Sequence, residues 1–587
     1  MIPDKKIYKE IEDLLEIIYD KQIAKITLKK VKFLINKYRD RIPPYSIGKE
    51  LDQTDVVLIT YGDILKETGE KPLKVLKKFL DQYVTGIINT IHVLPFYPYS
   101  SDDGFSVIDY REVNRDLGGW EDIVDFGKKF KLMVDLVANH VSAKSLWFKK
   151  YKNGVSPFTN YFIEVENGTD LKEVFRPRTS PLLKKVRTLN GIKNVWATFS
   201  HDQIDLNYSN YQVLVEMIEI LLFYFEKGAR FIRLDAIAYI WKKIGTNCIH
   251  LPQVHLIIQL IRKVIDLIDP SLKLITETNV PHKDNLSYFG DGKNEAHMVY
   301  NFSLPPLILH AFHSGNAKHL SNWGKTLSIP SKQTAFFNFL ASHDGIGVTP
   351  LRGILEEKQI IELAHSMEKI GGLVSYKTNL DASESPYELN INFFDALSDP
   401  NLHLNCEDAQ IKKFVCAHAT MFSLKGVPGI YFHSLFGSRG WQAGVKKTGQ
   451  KRSINRQKLN YDEIVLELES KNSRRAKIFS QLSQLLRIRA KNAEFSPNSE
   501  QSILDLDDRL FSLIRFLSTS NKAFLCIHNL SPDNVNGFVD LTELFANREI
   551  NIDKCFGQDW VEKTEKGMKF LIKPYSVIWV KVSEITK

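Results

Sequence analysis

Several short apolar runs, rich in β-branched residues, end abruptly in polar side chains that are capable of chemistry. They are GIINTIHVLPFYPYSSDDGF (86–105), KLMVDLVANH (131–140), ARFIRLDA (229–236), LKLITETN (272–279), TAFFNFLASHD (334–344) and KGVPGIYF (425–432). Buried parallel strands read as such near-continuous apolar runs, and amphipathic helical stretches such as residues 210–228 lie between several of them. The alternation therefore predicts an α/β fold, a (β/α)8 TIM barrel whose site lies on the face where the strands end.

The uneven spacing of these runs predicts modules around the barrel. About 90 residues separate His140 from Asp235, far more than a βα loop needs, and a second long excursion follows Asp344. After about residue 495 the sequence changes to short alternating strands, which are typical of a β-sandwich. We therefore expect an N-terminal helical extension (1–50), the catalytic barrel (51–140 and 206–494), inserted loop domains (141–205 and 345–402) and a C-terminal β-sandwich domain (495–587).

Composition and charge pattern exclude several classes of protein. The net charge of +9 comes from Lys and Arg interleaved with Asp and Glu, which favours a solvated surface over a nucleic-acid partner. The chain has no apolar run long enough for a membrane span, and its amphipathic start lacks the apolar segment of a signal peptide. Five scattered cysteines without CxxC spacing favour reduced thiols. We expect a cytoplasmic protein without a membrane or nucleic-acid partner, and leave open whether it forms a homodimer.

Two strand-terminal carboxylates are candidates for catalysis. In FIRLDA, Arg233 and Asp235 are two residues apart and face the same side of a strand. A neighbouring guanidinium favours the ionised carboxylate that a nucleophile needs. Glu277 ends an apolar run, where a raised pKa would suit a general acid. The alternative readings are an ordinary Arg–Asp ion pair and a solvent-facing glutamate.

Two further strand ends carry polar groups. Asp344 is suited to hold a developing positive charge or sugar hydroxyls, and the alternative is a residue of an Asx-turn. His140 closes the run that contains Asp135 and Asn139, and the alternative is a hydrogen-bonded turn histidine. Metal-competent residue types are present, but no tight ligand spacing occurs, so we expect no metal and no cofactor. Two carboxylates flanking one bond are the equipment of glycoside cleavage.

The ordered motifs DLVANH, FIRLDA, ITETN and FLASHD resemble the four motif regions of the α-amylase superfamily, glycoside hydrolase family thirteen. The similarity runs from about residue 55 to the end of the sequence. Within that superfamily the chain is similar to the sucrose phosphorylase group, through LPFYPYSSDDGFSVIDY, RPR, VWATFSHDQIDLNY, FSLPPLILHA, SHDGIG and INR. The resemblance implies a retaining enzyme that transfers a glucosyl group to phosphate, with phosphate as a co-substrate.

The resemblance also implies roles for individual residues. Asp235 would form a covalent β-glucosyl ester, Glu277 would protonate the departing oxygen, and Asp344 would stabilise the transition state. Phosphate would then attack the ester, and Arg178 and Tyr387 match the positions that receive it, since a guanidinium fork suits a phosphate. The residues that would hold or border the glucosyl ring are Asp102, Phe105, His140, Phe199, Gln203, Arg233, His343 and Arg456.

The chain departs from the sucrose-specific pattern in the acceptor region. Sucrose phosphorylases carry Glu-Val-His where this chain has Glu-Thr-Asn (277–279), and Asp-Leu-Tyr-Gln where it has Ser-Pro-Tyr-Glu (385–388). Because specificity built on polar contacts is steep, these differences disfavour sucrose. ITETNVPHKDN, EAHMVYNFSLPPLILHA, FLASHDGIGVTPLRG and SPYELNINFFDAL are similar instead to glucosylglycerate phosphorylases. The remaining candidates for contact with the substrate or acceptor are Asn279, His282, Lys283 and Glu388; for Lys283 the alternative is a solvated loop lysine.

The expected reaction is reversible phosphorolysis of 2-O-α-glucosylglycerate to α-glucose 1-phosphate and glycerate, and several alternatives stay open. Other members of the group are sucrose phosphorylase, sucrose 6′-phosphate phosphorylase and glucosylglycerol phosphorylase, with fructose, fructose 6-phosphate or glycerol as acceptor. A retaining α-glucosidase or transglucosidase would use the same carboxylates, and the pair Arg178 and Tyr387 disfavours it. An inactive amylase-like binding module is disfavoured because the chain keeps Asp235, Glu277 and Asp344.

Overall fold

The computed structural model describes residues 4–44, 50–379, 383–398, 407–545 and 548–585. Cys406 and the last residues of the second predicted insertion, 399–402, lie outside the described residues. Within these ranges no helix is both long enough and apolar enough to cross a bilayer. The helices are α1 (Asp4–Ile18), α2 (Lys21–Arg39), α3 (Pro72–Tyr83), α4 (Trp120–Phe126), α5 (Leu146–Lys152), α6 (Tyr211–Glu226), α7 (Pro252–Ile268), α8 (His282–Leu286), α9 (Leu304–Ser314), α10 (Lys318–Lys325), α11 (Glu357–Lys369), α12 (Phe393–Ala396), α13 (Glu407–Ser423), α14 (Phe432–Leu435), α15 (Gln442–Thr448), α16 (Tyr461–Glu469) and α17 (Arg474–Lys491).

Eight parallel strands close into a barrel. They are β1 (Val57–Thr60), β2 (Thr90–Val93), β3 (Lys131–Val137), β4 (Ala229–Asp235), β5 (Lys273–Thr276), β6 (Met298–Tyr300), β7 (Ala335–Phe339) and β8 (Val427–Tyr431). Each strand pairs with the next one along the chain, and β8 pairs with β1. The strands are buried over nearly their whole length, as their apolar sequences require. The predicted (β/α)8 fold class is confirmed.

The register of the barrel brings two carboxylates to the same level. Arg233 on β4 lies opposite Asp135 on β3 and Ile275 on β5. Two residues further along, Asp235 ends β4, and Glu277 directly follows the end of β5. Because neighbouring strands are ~4.8 Å apart and side chains alternate along a strand, Asp235 and Glu277 stand side by side on the C-terminal face.

Two N-terminal helices form a hairpin against the outside of the barrel. On α1 the buried side chains Ile7, Ile11, Leu15 and Ile18 recur every three or four residues, which places them on one face of the helix. Asp20 caps α2 by accepting hydrogen bonds from backbone N–H groups of the first turn. Helix α1 packs against α7, and α2 packs against α6 and α7. The hairpin therefore covers apolar surface of two barrel helices.

The segment between β3 and β4 folds over the strand ends. It contains a three-stranded antiparallel sheet made of Glu164–Val165, Leu183–Thr188 and Gly191–Trp196. A further short strand, Gln203–Asp205, pairs with His140–Ser142 directly after β3. This pairing anchors the inserted segment at the mouth of the barrel.

A buried ammonium group ties the inserted segment to the loop after β4. Lys242 donates from Nζ to Asp205 Oδ2 at 2.5 Å, to Asn139 Oδ1 at 2.6 Å and to the carbonyl oxygen of Tyr239. Its side chain is 3% exposed, and burial lowers its pKa. A charge withdrawn so far from water needs partners of this kind. Lys242 therefore holds three separate chain segments together.

A second excursion, between β7 and β8, adds another small sheet beside the barrel mouth. Its three antiparallel strands are Ile346–Gly347, Leu373–Thr378 and Glu384–Asn390. The last of them carries Tyr387 and Glu388, and both side chains reach the cleft described below.

The C-terminal region forms two antiparallel sheets around a core of its own. Arg515, fully buried, joins this region to the barrel by donating to the carbonyl oxygen of Ser423 in α13 at 2.9 Å. One sheet has the order β9-β10-β11-β16-β13 and the other has the order β12-β15-β14. These strands are β9 (Glu500–Leu504), β10 (Leu510–Phe516), β11 (Lys522–Asn529), β12 (Val535–Asp540), β13 (Ile550–Phe556), β14 (Trp560–Lys563), β15 (Gly567–Ile572) and β16 (Val577–Glu584).

Candidate active site

Polar side chains from several strand ends face one cleft. Asp235 ends β4, Glu277 follows β5, Asp344 follows β7 and His140 follows β3. The cleft, measured together with the solvent space at its open mouth, has a volume of ≈ 700 Å³, and it is walled by these residues and by side chains of both inserted segments. A second, smaller cavity shares Glu277, Phe302, His343 and Asp344 with the cleft. The geometry thus collects residues that are far apart in sequence around one space.

Arg233 is fixed among three acidic groups next to the cleft. Its Nη1 donates to Asp235 Oδ1 at 2.7 Å and to Asp135 Oδ1 at 2.5 Å, and its Nη2 lies 3.9 Å from Glu277 Oε1. His92 Nε2 lies 2.7 Å from the other carboxylate oxygen of Asp135. Arg233, Asp135 and His92 are buried, so the guanidinium has little freedom to leave this position.

Burial raises the pKa of Asp235 well above its usual value of 3.8 and raises the pKa of Glu277 above 4.5. Arg233 lowers the pKa of Asp235, as predicted, but burial outweighs the guanidinium, and the negative charges of Glu277 and Asp135 raise this pKa further. Two interacting carboxyls of this kind hold a proton between them. Arg233 lies 2.7 Å from Asp235 and 3.9 Å from Glu277, so it favours the charge on Asp235 and the proton on Glu277.

A left-handed backbone turn follows Asp235. Ala236 has φ +53°, a conformation that is uncommon for a residue with a side chain and is often found at functional sites. In this conformation its N–H group donates to Glu277 Oε2 at 3.2 Å. The turn therefore helps to fix the second carboxyl group beside the first.

Asp344 stays ionised beside this pair. Burial opposes its charge, but the guanidinium groups of Arg452 and Arg456 outweigh burial and hold the pKa of Asp344 well below its usual range. Arg452 Nη1 forms an ion pair with Asp344 Oδ1, and Arg456 Nη2 lies 3.4 Å from the same oxygen. The cleft therefore keeps a negative charge at this position over the physiological pH range.

An aromatic and polar wall borders the cleft near Asp344. The rings of Phe105 and His343 stack with centres 4.6 Å apart, and burial lowers the pKa of His343 to about 3, so its imidazole is neutral. His140 donates from Nε2 to the carbonyl oxygen of Phe105 at 3.0 Å. Asp102, with φ +52°, pairs with Arg456 at 3.1 Å. An apolar ring beside a few fixed polar groups is the usual form of a small-molecule site.

Another part of the wall carries positive charge. Arg452 donates from Nε to Glu388 Oε2 at 3.2 Å and from Nη2 to Glu388 Oε1 at 2.7 Å. Arg178 Nη1 lies 4.0 Å from Glu388 Oε2, and the Arg178 guanidinium lies 5.7 Å from the centre of the Tyr387 ring. Asn279 lines the same cleft, and its side-chain oxygen has no hydrogen-bond partner among the described residues.

The arrangement suits acid–base and covalent chemistry on a glycoside. The carboxyl groups of Asp235 and Glu277 flank one guanidinium, at 2.7 Å from Arg233 Nη1 and 3.9 Å from Arg233 Nη2, which is compatible with the ~5–5.5 Å separation of a retaining carboxylate pair. In the described part of the chain, no group of three His, Cys, Asp or Glu residues is placed to hold a metal ion.

Comparisons with known proteins agree with this geometry. The catalytic-domain profile of the α-amylase family matches residues 78–360. A glucosylglycerate phosphorylase from Spirochaeta thermophila is 46% identical over 524 residues, which cover 88% of each chain. The chain belongs to the α-amylase family. A glucosylglycerate phosphorylase from Escherichia coli K12 is 42% identical over 575 residues, 98% of this chain and 100% of the relative. The crystal structure of sucrose 6F-phosphate phosphorylase from Thermoanaerobacter thermosaccharolyticum shares the fold, with a TM-score of 0.72 at 24% identity, covering 90% of this chain and 100% of that chain.

Most of the candidate residues of this α-amylase family member line the cleft. Those that do are Asp102, Phe105, His140, Arg178, Phe199, Gln203, Asp235, Glu277, Asn279, His343, Asp344, Tyr387 and Glu388. Arg233 lines the second cavity, and Arg456 reaches the site through its ion pairs. The structure does not bring His282 and Lys283 into the cleft wall. His282 lies against Trp323, with ring centres 5.9 Å apart, and Lys283 is exposed, because α8 begins at His282 and leads the chain away from the end of β5.

Five residues of the cleft wall were not among the candidates: Ala236, Tyr239, Phe302, Gly345 and Arg452. Tyr239 lies four residues after Asp235, and its ring meets Phe199 edge-on at 5.2 Å. Arg452 precedes Arg456 by four residues in KRSINR, and this second arginine beside a family motif was the available signal. For Phe302 the sequence offered no signal beyond its place in the stretch FSLPP.

Proposed function

We propose that the protein is a retaining glycoside phosphorylase that acts on 2-O-α-glucosylglycerate and phosphate. The observation that carries this proposal is the placement of Arg178 and Tyr387 in one cleft with Asp235 and Glu277. A guanidinium fork and a phenol suit a phosphate. Relatives that are 42% to 48% identical over most of the chain are named glucosylglycerate phosphorylases, which supports the choice of substrate.

In the first half-reaction, Asp235 attacks the anomeric carbon. The bond between this carbon and the glycerate oxygen breaks, Glu277 gives its proton to the departing oxygen, and a β-glucosyl ester of Asp235 forms. The raised pKa of Glu277 supports its role as the acid, because the group keeps its proton until the oxygen departs. The ionised Asp344 stabilises the positive charge that develops on the sugar ring.

In the second half-reaction, a phosphate oxygen attacks the same carbon. The ester bond breaks, Asp235 regains its carboxylate, and Glu277 takes up the proton of the attacking phosphate. Two inversions restore the α configuration, so the product is α-glucose 1-phosphate. Proton transfer and a covalent ester suffice for both steps, without a cofactor. The four described cysteines are free thiols, which supports a cytoplasmic setting.

Product analysis tests this proposal. The protein is incubated with 2-O-α-glucosylglycerate with and without phosphate, and α-glucose 1-phosphate and glucose are both measured. We expect α-glucose 1-phosphate to dominate when phosphate is present, and we expect Asp235→Asn to form neither product. Glucose release that phosphate does not change would identify a hydrolase instead.

An acceptor panel in the synthetic direction tests the choice of glycerate. α-Glucose 1-phosphate is offered with glycerate, glycerol, fructose or fructose 6-phosphate, and phosphate release is measured. We expect the highest kcat/KM with glycerate. A higher kcat/KM with fructose would favour the alternative that the protein is a sucrose phosphorylase.

A further inference from the structure

The cleft wall carries two arginines that differ in how closely acidic side chains pair with them. Among the described residues that line the cleft, the Lys and Arg side chains are Arg178 and Arg452. Arg452 is held on two sides, by Glu388 at 2.7 and 3.2 Å and by an ion pair with Asp344. Arg178 is 27% exposed and reaches Glu388 only at 4.0 Å. An anion that enters the cleft therefore meets the guanidinium of Arg178.

Phosphate attacks in phosphorolysis and glycerate attacks in synthesis, and the two molecules bring their negative charges to nearly the same place. In phosphate, one atom separates the attacking oxygen from the charged oxygens. In glycerate, two carbon atoms separate the 2-oxygen from the carboxylate oxygens. Both attacking oxygens must reach the same anomeric carbon, and a planar guanidinium binds phosphate and carboxylate alike with two parallel hydrogen bonds.

Glu388 is an unexpected residue beside an anion site, because it is itself an anion. Its side chain is 2% exposed and lies between the guanidinium groups of Arg452 and Arg178. Two guanidinium groups in one buried wall repel each other, and a carboxylate between them offsets that repulsion. A buried carboxylate is in turn tolerated only with such partners. Glu388 therefore sets where Arg178 stands relative to Arg452.

We propose that Arg178, positioned by Glu388 and Arg452, forms a single anion site that serves both directions of the reaction. It binds phosphate during phosphorolysis and the carboxylate of a 2-hydroxy acid during synthesis. This inference rests on the proposed function. It extends the acceptor class to short 2-hydroxy acids such as glycolate and lactate, and disfavours acceptors that lack a carboxylate beside the reacting hydroxyl.

The wild-type enzyme provides the first test. Formation of α-glucose 1-phosphate from glucosylglycerate is measured first, and its absence would refute the proposed function rather than this inference. Sulfate is then used as an oxyanion probe that does not react. One shared site predicts that sulfate competes with phosphate in phosphorolysis and with glycerate in synthesis, with the same inhibition constant. Competition with only one of the two would overturn the inference while leaving phosphorolysis intact.

Two variants provide the second test. Glu388→Gln and Arg178→Lys are each expected to raise the KM for phosphate and the KM for glycerate together, by about tenfold, the effect of one lost charge-assisted hydrogen bond. Hydrolysis of α-glucosyl fluoride needs no anionic acceptor, and its initial burst of fluoride release reports separately on the glucosylation step. Lys283→Gln is the matched control, since it removes one exposed positive charge outside the cleft wall and should change neither KM.

Comparison of these measurements shows whether Glu388 positions Arg178 or only supports the structure of the protein as a whole. A parallel rise in both KM values that exceeds the loss in the fluoride burst supports the shared site. A rise in one KM alone would show that the two anions bind at separate places. An equal loss in the fluoride burst would show that Glu388 acts only on the structure as a whole.

Discussion

Replacing Glu277 with glutamine is expected to stabilise the fold while stopping catalysis. Burial raises the pKa of Glu277 above its ordinary value of 4.5, even with the attraction of Arg233 at 3.9 Å included. A carboxyl whose pKa is raised by folding contributes its full stability when protonated, and this contribution is lost as the pH rises above 4.5. Glutamine keeps the shape, stays neutral, and its carbonyl oxygen can still accept the N–H of Ala236.

The size of the gain follows from this linkage. Each unit of pKa shift corresponds to about 1.4 kcal/mol, and a single stabilising substitution commonly yields about 0.5–2 kcal/mol. For a chain of this length 1 kcal/mol corresponds to about 1 °C in Tm, since the entropy of unfolding grows with the number of residues. Calorimetry at pH 7.5 should therefore show a Tm for Glu277→Gln that is higher by about 0.5–2 °C. At pH 4 the difference should vanish, and kcat at pH 7.5 should fall by about 10²–10⁴-fold.

Asp344→Asn is the matched control, because the same chemical change should have the opposite sign. The cations around Asp344 hold its pKa well below 3.8, so this carboxylate stabilises the fold above that pH and loses its effect as the pH falls. We expect Asp344→Asn to lower the Tm at pH 7.5 by about 2–3 °C, the cost of losing charge-assisted hydrogen bonds. If both variants shift the Tm in the same direction, the assignment of a strained and a stabilised carboxylate is wrong.

Three further predictions concern separate parts of the molecule. Asp235→Ala should lower kcat for α-glucosyl fluoride by about 10⁴-fold or more, as expected for loss of a covalent nucleophile, and normal turnover would show that another residue attacks. Leu15→Ala, in the buried face of α1, should cost about 2–5 kcal/mol in denaturant unfolding, whereas Ile17→Ala, 66% exposed on the same helix, should change little. Lys242→Met should lower the free energy of unfolding by about 3–5 kcal/mol, because it leaves the buried carboxylate of Asp205 without its cation. Adding Asp205→Asn should restore part of the loss, and an equally unstable double variant would contradict this pairing.

The sequence predicted the parts of the site that strand geometry dictates. Asp235 and Glu277 follow long apolar runs, and a parallel barrel brings the ends of such runs to one face whatever the intervening loops do. The amphipathic spacing of α1 likewise predicted a helical extension, because one apolar face must be buried. Strands β1 and β6 were not among the runs, and the three residues of β6 are too few to give a period.

The rest depends on contacts that have no signature in local sequence. The spacing of Arg233 and Asp235 predicted their contact. It did not predict that Arg233 also donates a hydrogen bond to Asp135, which lies 98 residues before Arg233 in the sequence. Burial at the barrel mouth, more than this competition for Arg233, raises the pKa of Asp235 above its usual value. Lys283 illustrates the same limit, because the direction of a side chain after a strand end depends on where the next helix begins.

The identity of the covalent intermediate tests the central claim most directly. The protein is mixed with α-glucosyl fluoride without an acceptor, quenched rapidly in acid, digested and analysed by mass spectrometry. We predict one added glucosyl group on the peptide that carries Asp235, and its conversion to α-glucose 1-phosphate when phosphate is added before the quench. A glucosyl group on a different residue, or a β-configured product formed without any labelled peptide, would contradict the mechanism.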